Sequence, residues 1–310
     1  MVIVVGAGVS GLTTAIVLAE SGVKTRVLAA ERPQHTTSVA AGALWGPSFQ
    51  QPHDKTLAWT AQSLVDFQDL AAEPGTGVRI SDVLTVGGGE LPDDLPKQVA
   101  LIPGLRRATP DELPPGYDAG SWGRMPVVDM PTYLDYLTRR LAAAGTQVEL
   151  REKEDLQSAG ERVVNCTGVA ARELAGDDTV RPVFGQHVVL DNPGLTHAFM
   201  ELGRDREWTS FMPHPTRVVC GGVRIEDRWD RTPDEITAAI LERCRALEPR
   251  LANAKIQGVA TGLRPERPAV RVEREQRGRT TVVHNYGHGG TGVSLSWGCA
   301  REAARLVVGG

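Results

Sequence analysis

Apolar positions run unbroken through Val2-Ile3-Val4-Val5, the pattern of a short strand buried on both faces of a parallel sheet. Leu12 to Ser21 then repeats apolar residues at helical spacing, and Val23 to Ala29 reads as a second strand, so the chain opens with a predicted βαβ unit. His53 to Ala72 places Leu57, Leu64, Phe67 and Leu70 along one side of an amphipathic helix. From Glu73 to Met130 the pattern breaks into Pro- and Gly-rich pieces with short β-like runs such as Val83 to Val86. Asp129 and Pro131 mark the start of a helix reaching Ala144, after which Gln147 to Arg151 and Arg162 to Asn165 read as strands. Gln186 to Leu190, Val218 to Gly222 and Ala260 to Leu263 add further strands. Thr232-Pro233-Asp234-Glu235 has the form of a capping box and predicts a helix running from there to about Leu247.

Three strands end in glycines. Val2–Val5 runs into Gly6-Ala7-Gly8-Val9-Ser10-Gly11, where Gly6 permits a tight turn, Gly8 lets a pyrophosphate reach the backbone and Gly11 lets the helix pack on the strand. Glu31 lies twenty positions past Gly11, at the end of the second strand, where a carboxylate accepts from ribose hydroxyls. An adenine dinucleotide follows, with NAD and FAD both open. Thr36-Thr37-Ser38-Val39-Ala40-Ala41-Gly42 then supplies hydroxyls for phosphate and small residues beside which a flat ring can lie. Arg162 to Gly168 is a second strand meeting a glycine turn. Near the end, Val282 to Ala300 sets four glycines between an apolar strand and an apolar helix, leaving backbone N–H groups to face a ligand.

The remaining properties narrow the class. The 310 residues are 41% hydrophobic and 23% charged with net charge −4, which describes a globular chain and gives no footprint for nucleic acid. No apolar run approaches the ~20 residues of a membrane span, and Met1 leads straight into the first strand, so neither a membrane partner nor a signal peptide is expected. Cys166, Cys220, Cys244 and Cys299 have no metal-ligand spacing, and a reduced, cytoplasmic chain without a metal site is the expectation.

Several of these segments together resemble the D-amino-acid oxidase family: Thr-Thr-x-Val-Ala-Ala-Gly followed by Leu44-Trp45, Val-Asn-Cys-Thr-Gly at 164–168, Gly-Leu-Arg-Pro-Glu-Arg-Pro at 262–268, and His-Asn-Tyr-Gly-His-Gly-Gly at 284–290. The resemblance implies an α/β fold in which a Rossmann-like FAD-binding domain (1–41, 142–180 and 265–310) is interleaved with a β-rich α+β substrate-binding domain (42–141 and 181–264). It implies FAD held by Gly6, Ala7, Gly8, Val9, Ser10, Gly11, Glu31, Arg32, Thr36, Thr37, Ser38, Ala41, Gly42, Lys153, Thr167, Asp177, Gly289, Gly290, Thr291, Gly292, Val293 and Ser294. Arg264 would grip the substrate α-carboxylate in a bidentate fork, and the Gly290 carbonyl would accept from the amine. His284 and His288 are expected as structural donors, not proton shuttles.

The implied activity is oxidative deamination of D-amino acids by hydride transfer to flavin, with molecular oxygen as second substrate and 2-oxo acid, ammonia and hydrogen peroxide as products. The chain departs from the family at Glu207 to Pro213, where relatives carry two tyrosines. The carboxylate-binding one falls on Ser210, with Trp208 beside it. Trp208, Phe211, Met212, Trp45 and Met200 are the expected lining of an apolar side-chain pocket, which favours neutral, apolar substrates. The alternative is a D-aspartate oxidase using Arg204 or Arg206 for the second carboxylate. A homodimer is left open.

Overall fold

The computed structural model describes residues 1–151, 155–203 and 206–309. Among them the strands form two sheets. The first has the order Arg271–Arg277, Thr280–Tyr286, Arg162–Asn165, Val2–Val5, Thr25–Ala29, Val148–Leu150, drawing strands from the beginning, middle and end of the chain. Its neighbours are parallel except the first two, which form a hairpin. Val2–Val5 is buried at every position, as its unbroken apolar run requires. Helix Val9–Glu20 and helix Gly292–Val308 pack against each other beside this sheet, tied by the Thr13 hydroxyl donating to the Ser296 carbonyl at 3.3 Å.

Helices His53–Ala72 and Met130–Ala143, counted with the substrate-binding segments from sequence, pack on that last helix. A Cβ on Gly298 would stand 2.4 Å from the Trp59 Cα, and the Trp297 indole donates to the Tyr133 hydroxyl at 2.8 Å. The second sheet runs Ile225–Glu226, Arg181–Asp191, Arg217–Val223, Glu207–Pro213, Ala198–Glu201, Val78–Val86, Gly120–Val128, Arg106–Arg107, with Ile256–Glu266 also paired to Arg181–Asp191. One face of it joins the core beneath the first layer through Val83, Met125, Met212 and Val219. The other is covered by helix Thr237–Leu247, which buries Ile240, Leu241 and Cys244 against Phe199, Phe211 and Cys220.

That helix begins at Thr237, five residues later than the Thr232 capping signal predicts. The reason is a competing partner: the Gln186 side chain accepts from the Asp234 N–H and donates to its carbonyl, holding the backbone outside the helix.

Candidate active site

Three parallel strands, Val2–Val5, Arg162–Asn165 and Thr280–Tyr286, end on the same edge of the first sheet, the edge where open α/β sheets bind ligands. Each of the three glycines after Val5 meets a different environment. Gly6 has φ of 109°, and a Cβ there would lie 2.4 Å from the Cys166 carbonyl oxygen. A Cβ on Gly11 would be 1.9 Å from the Gly6 carbonyl oxygen. Gly8 faces no backbone: a Cβ there would meet the Ser38 hydroxyl at 3.0 Å and the Thr36 hydroxyl at 3.8 Å. The space in front of Gly8 is therefore a hydroxyl-lined cradle at the N-terminus of helix Val9–Glu20, where the Val9 N–H donates to Ser38 Oγ at 2.9 Å. Ala7 is buried in the turn, and Ser10 lies in the helix's first turn.

Thr36 and Ser38 line this cradle, and Thr167 stands beside Gly6. Thr37 Oγ1 accepts from the Leu263 N–H at 3.2 Å, joining the loop to the strand that bears Arg264. Glu31 is paired with Arg231 at 2.5 Å. Arg32 is exposed at the start of the short turn Pro33–His35. Thr167 donates to Asn165 Oδ1 at 2.7 Å beside Gly6. At the other glycine turn, Thr291 donates to Gln50 Oε1 at 2.7 Å and Ser294 Oγ accepts from the Gly46 N–H at 3.1 Å, bringing Gly289, Gly290, Gly292 and Val293 to the segment that follows Ala41 and Gly42. Lys153 lies outside the described residues.

Asp177 is the centre of a hydrogen-bond cluster within the protein. Its Oδ1 accepts from the Thr179 N–H and hydroxyl, while Oδ2 accepts from Arg267 Nε and the Tyr286 hydroxyl, each at 2.8 Å. Burial alone pushes this carboxyl up, but these donors outweigh it and hold it well below the usual carboxylate range. These bonds tie Asp177 to the His-Asn-Tyr-Gly strand and to Arg267.

The second sheet carries the residues expected at the substrate end. Arg264 on strand Ile256–Glu266 donates to the carbonyls of Phe184 and Val223 at 3.3 and 3.1 Å, and among the described residues it has no ion pair. Burial and the nearby Arg224 charge lower it to about 10, opposed by Glu266, so it stays cationic at neutral pH. A Cβ on Gly185 would strike its guanidinium at 2.5 Å, and one on Gly290 would touch its Cδ at 3.7 Å. Arg264 and Gly290, assigned from two distant motifs, are thus neighbours. The Arg264 Cζ lies 5.8 Å from the Trp208 ring centroid.

The apolar lining is narrower than the sequence suggests. Phe211 stacks on Phe199 at 5.2 Å beneath helix Thr237–Leu247, because adjacent positions of a strand face opposite sides. Trp45 is fully buried, donating to the Thr60 carbonyl at 3.3 Å. Met212 stays on the near side, within 3.9 Å of a Cβ built on Gly42. His187 joins it. Ser210, Gly221 and His187 are consecutive cross-strand partners, and a Cβ on Gly221 would stand 1.9 Å from the His187 ring, so the imidazole leans over that glycine toward Ser210. Its Nδ1 donates to the Ala40 carbonyl at 2.8 Å. Only the pairing of a histidine with a glycine two strands from Ser210 signals this in sequence, and strand register has to be known first.

Burial and the Arg264 charge drive His187 down to about 4, and burial does the same to His288, whose Nε2 meets Asn285 Oδ1 at 3.1 Å. Folded-state values below the unfolded ~6.5 mean that the unfolded chain takes up these protons first. Their contribution to stability is complete above pH ~6.5 and falls as pH drops toward 4, by at most on the order of 3 kcal/mol each. The melting temperature is expected to fall steadily between pH 6.5 and 4.5 in thermal unfolding scans; a flat profile would refute this.

Comparison with known proteins agrees with the geometry. Residues 1–306 match the model of a family described as FAD dependent oxidoreductase. The chain belongs to that family. It is 47% identical to the D-amino-acid oxidase of Rubrobacter xylanophilus over 98% of this chain and 95% of that protein. It is 48% identical to the D-amino-acid oxidase of Streptomyces coelicolor over 99% and 96%, and 34% identical to the human D-aspartate oxidase over 98% and 93%. Among solved structures, glycine oxidase from Bacillus cereus superposes with a TM-score of 0.80 at 19% identity, covering 99% of this chain and 94% of that one, a likeness of fold. The chain is an FAD-dependent oxidoreductase, and the cradle in front of Gly8 fits the cofactor's pyrophosphate.

Proposed function

We propose that this enzyme oxidises neutral D-amino acids to imino acids, which hydrolyse to 2-oxo acids and ammonia, with molecular oxygen as the final acceptor and hydrogen peroxide as its product. The observation that carries the reading is the pairing of Arg264, a cation without a carboxylate partner among the described residues, with Gly290 at the glycine-rich helix start. The two D-amino-acid oxidases at 47% and 48% identity support it. FAD, when bound, supplies the two-electron acceptor.

The chain's own residues supply orientation. Arg264 would hold the α-carboxylate and the Gly290 carbonyl would accept from the amine, and two fixed substituents leave only one enantiomer able to present its α-hydrogen to a given side. No side chain has to remove that hydrogen as a proton. His187, neutral well below pH 7, adds no second cation to the pocket. The test is anaerobic mixing of the yellow protein with D- and L-alanine: bleaching by the D-enantiomer alone is expected, and no bleaching by any D-amino acid would overturn the reading.

Neutral side chains are favoured for an electrostatic reason. Arg224, the guanidinium that acts on Arg264, is itself held by Glu266 in a two-pronged pair, and Trp208 and Met212 offer no charge. A second substrate carboxylate would be desolvated without a partner, a cost of several kcal/mol. Arg206 is exposed and its carbonyl accepts from the Arg224 N–H, and Arg204 lies outside the described residues. The kcat/KM ratio of D-alanine to D-aspartate is expected to exceed about a hundredfold at pH 7.5, and a ratio below one would promote the D-aspartate alternative. The four cysteines are unpaired and buried, which supports a reducing, cytoplasmic setting.

A further inference from the structure

We propose that Arg231, which belongs to the substrate-side part of the chain, is a cofactor-retention residue that sets the ribose-binding carboxylate Glu31. This rests on the reading of the N-terminal glycine turn as the FAD site. Arg231 sits in the segment between strand Ile225–Glu226 and helix Thr237–Leu247, about two hundred positions from Glu31 in sequence. Its Nη2 donates to Glu31 Oε1 at 2.5 Å and its Nη1 to the His35 carbonyl at 2.8 Å. Its own carbonyl accepts from the Thr261 hydroxyl at 2.5 Å, on the strand that bears Arg264.

An isolated surface ion pair is worth little, because both long side chains are free to separate. Here the Arg231 backbone is anchored by Thr261, and its guanidinium spans both the Glu31 carboxylate and the His35 carbonyl. The fork therefore fixes the Glu31 rotamer and the path of residues 31–36, the same loop whose Thr36 reaches the Gly8 cradle. Among the described residues only one Glu31 oxygen is taken. Oε2 remains for ribose hydroxyls, and the Arg231 charge offsets the repulsion between Glu31 and a dinucleotide's phosphates. A carboxylate pre-set in this way loses less rotamer entropy when the adenosine half binds.

The experiment is dilution of the holoenzyme with released FAD read by its fluorescence. Arg231→Met keeps the apolar stem and removes the fork. It should raise the FAD dissociation constant about tenfold, the loss of one charge-assisted contact, while Arg231→Lys should recover part of the loss. Glu31→Gln should also weaken retention, and the double variant should be no worse than about the poorer single one, since Arg231 acts through Glu31. Retention by Arg231→Met within twofold of the parent, or single effects that multiply in the double variant, would overturn the inference. If Arg231→Met fails to fold, Arg231→Lys against Glu31→Gln decides by the same comparison. A parent protein that carries no FAD would defeat the site reading itself, an outcome distinct from failure of the Arg231 role.

Discussion

Arg264→Ala is expected to abolish turnover of D-alanine, by at least about a thousandfold in kcat/KM, while the purified protein remains yellow. Under the proposed function the guanidinium pairs with the substrate carboxylate, and its bonds in the structure are to the Phe184 and Val223 carbonyls. Removing it leaves a desolvated carboxylate facing Trp208 and Met212, which costs roughly 3–5 kcal/mol. The flavin should stay because the Gly8 cradle is lined by Ser38 and Thr36, while the Arg264 side chain runs past Gly290 and lies in the slot opened by Gly185. Lysine should recover little. An ammonium cannot make two parallel bonds to a carboxylate. Steady-state assays of peroxide formation together with the flavin spectrum check both halves, and near-normal turnover by Arg264→Ala would show that the carboxylate is held elsewhere.

How much of this was legible in sequence depended on whether backbone or side chain carries the function. The glycine turns were, because a glycine that must admit a pyrophosphate or a carbonyl does so through its backbone and its spacing from the strand. Arg264 and Gly290 were legible as motifs, but their contact was not, since it depends on how strand Ile256–Glu266 meets the start of helix Gly292–Val308. Phe211 was misplaced because composition does not say which face of a strand looks at the site. The Asp177 contacts were hidden for a related reason: its partners Arg267 and Tyr286 come from about ninety and one hundred and nine positions away. His187 became visible only with the register that sets Gly221 between it and Ser210. The Thr232 capping signal was real as local chemistry and lost to Gln186, a side chain from another strand.

Gly8→Val is expected to give a folded protein that loses FAD on gel filtration, with retention weakened by more than about a hundredfold, whereas Gly11→Val should give little folded protein at all. The two glycines are three positions apart in one motif and differ in what stands over them. At Gly11 a Cβ would be driven to 1.9 Å from the Gly6 carbonyl oxygen, which sits on a turn fixed by the left-handed φ of Gly6 and by the Gly6 N–H bond to the Leu28 carbonyl at 2.8 Å. That overlap is backbone against side chain, and neither can move without separating helix from strand. At Gly8 φ is −72°, which any residue adopts, and the nearest atom is the Ser38 hydroxyl at 3.0 Å, a side chain that can rotate away at the cost of its bond from the Val9 N–H. Valine there costs the fold little, but its methyls occupy the space in front of the helix N-terminus where a pyrophosphate has to approach the backbone. Circular dichroism and the ratio of flavin to protein absorbance separate the two effects. A Gly8→Val protein that stays fully yellow would place the cofactor's phosphates elsewhere, and a Gly11→Val protein as stable as the parent would show that strand and helix are not locked at Gly6.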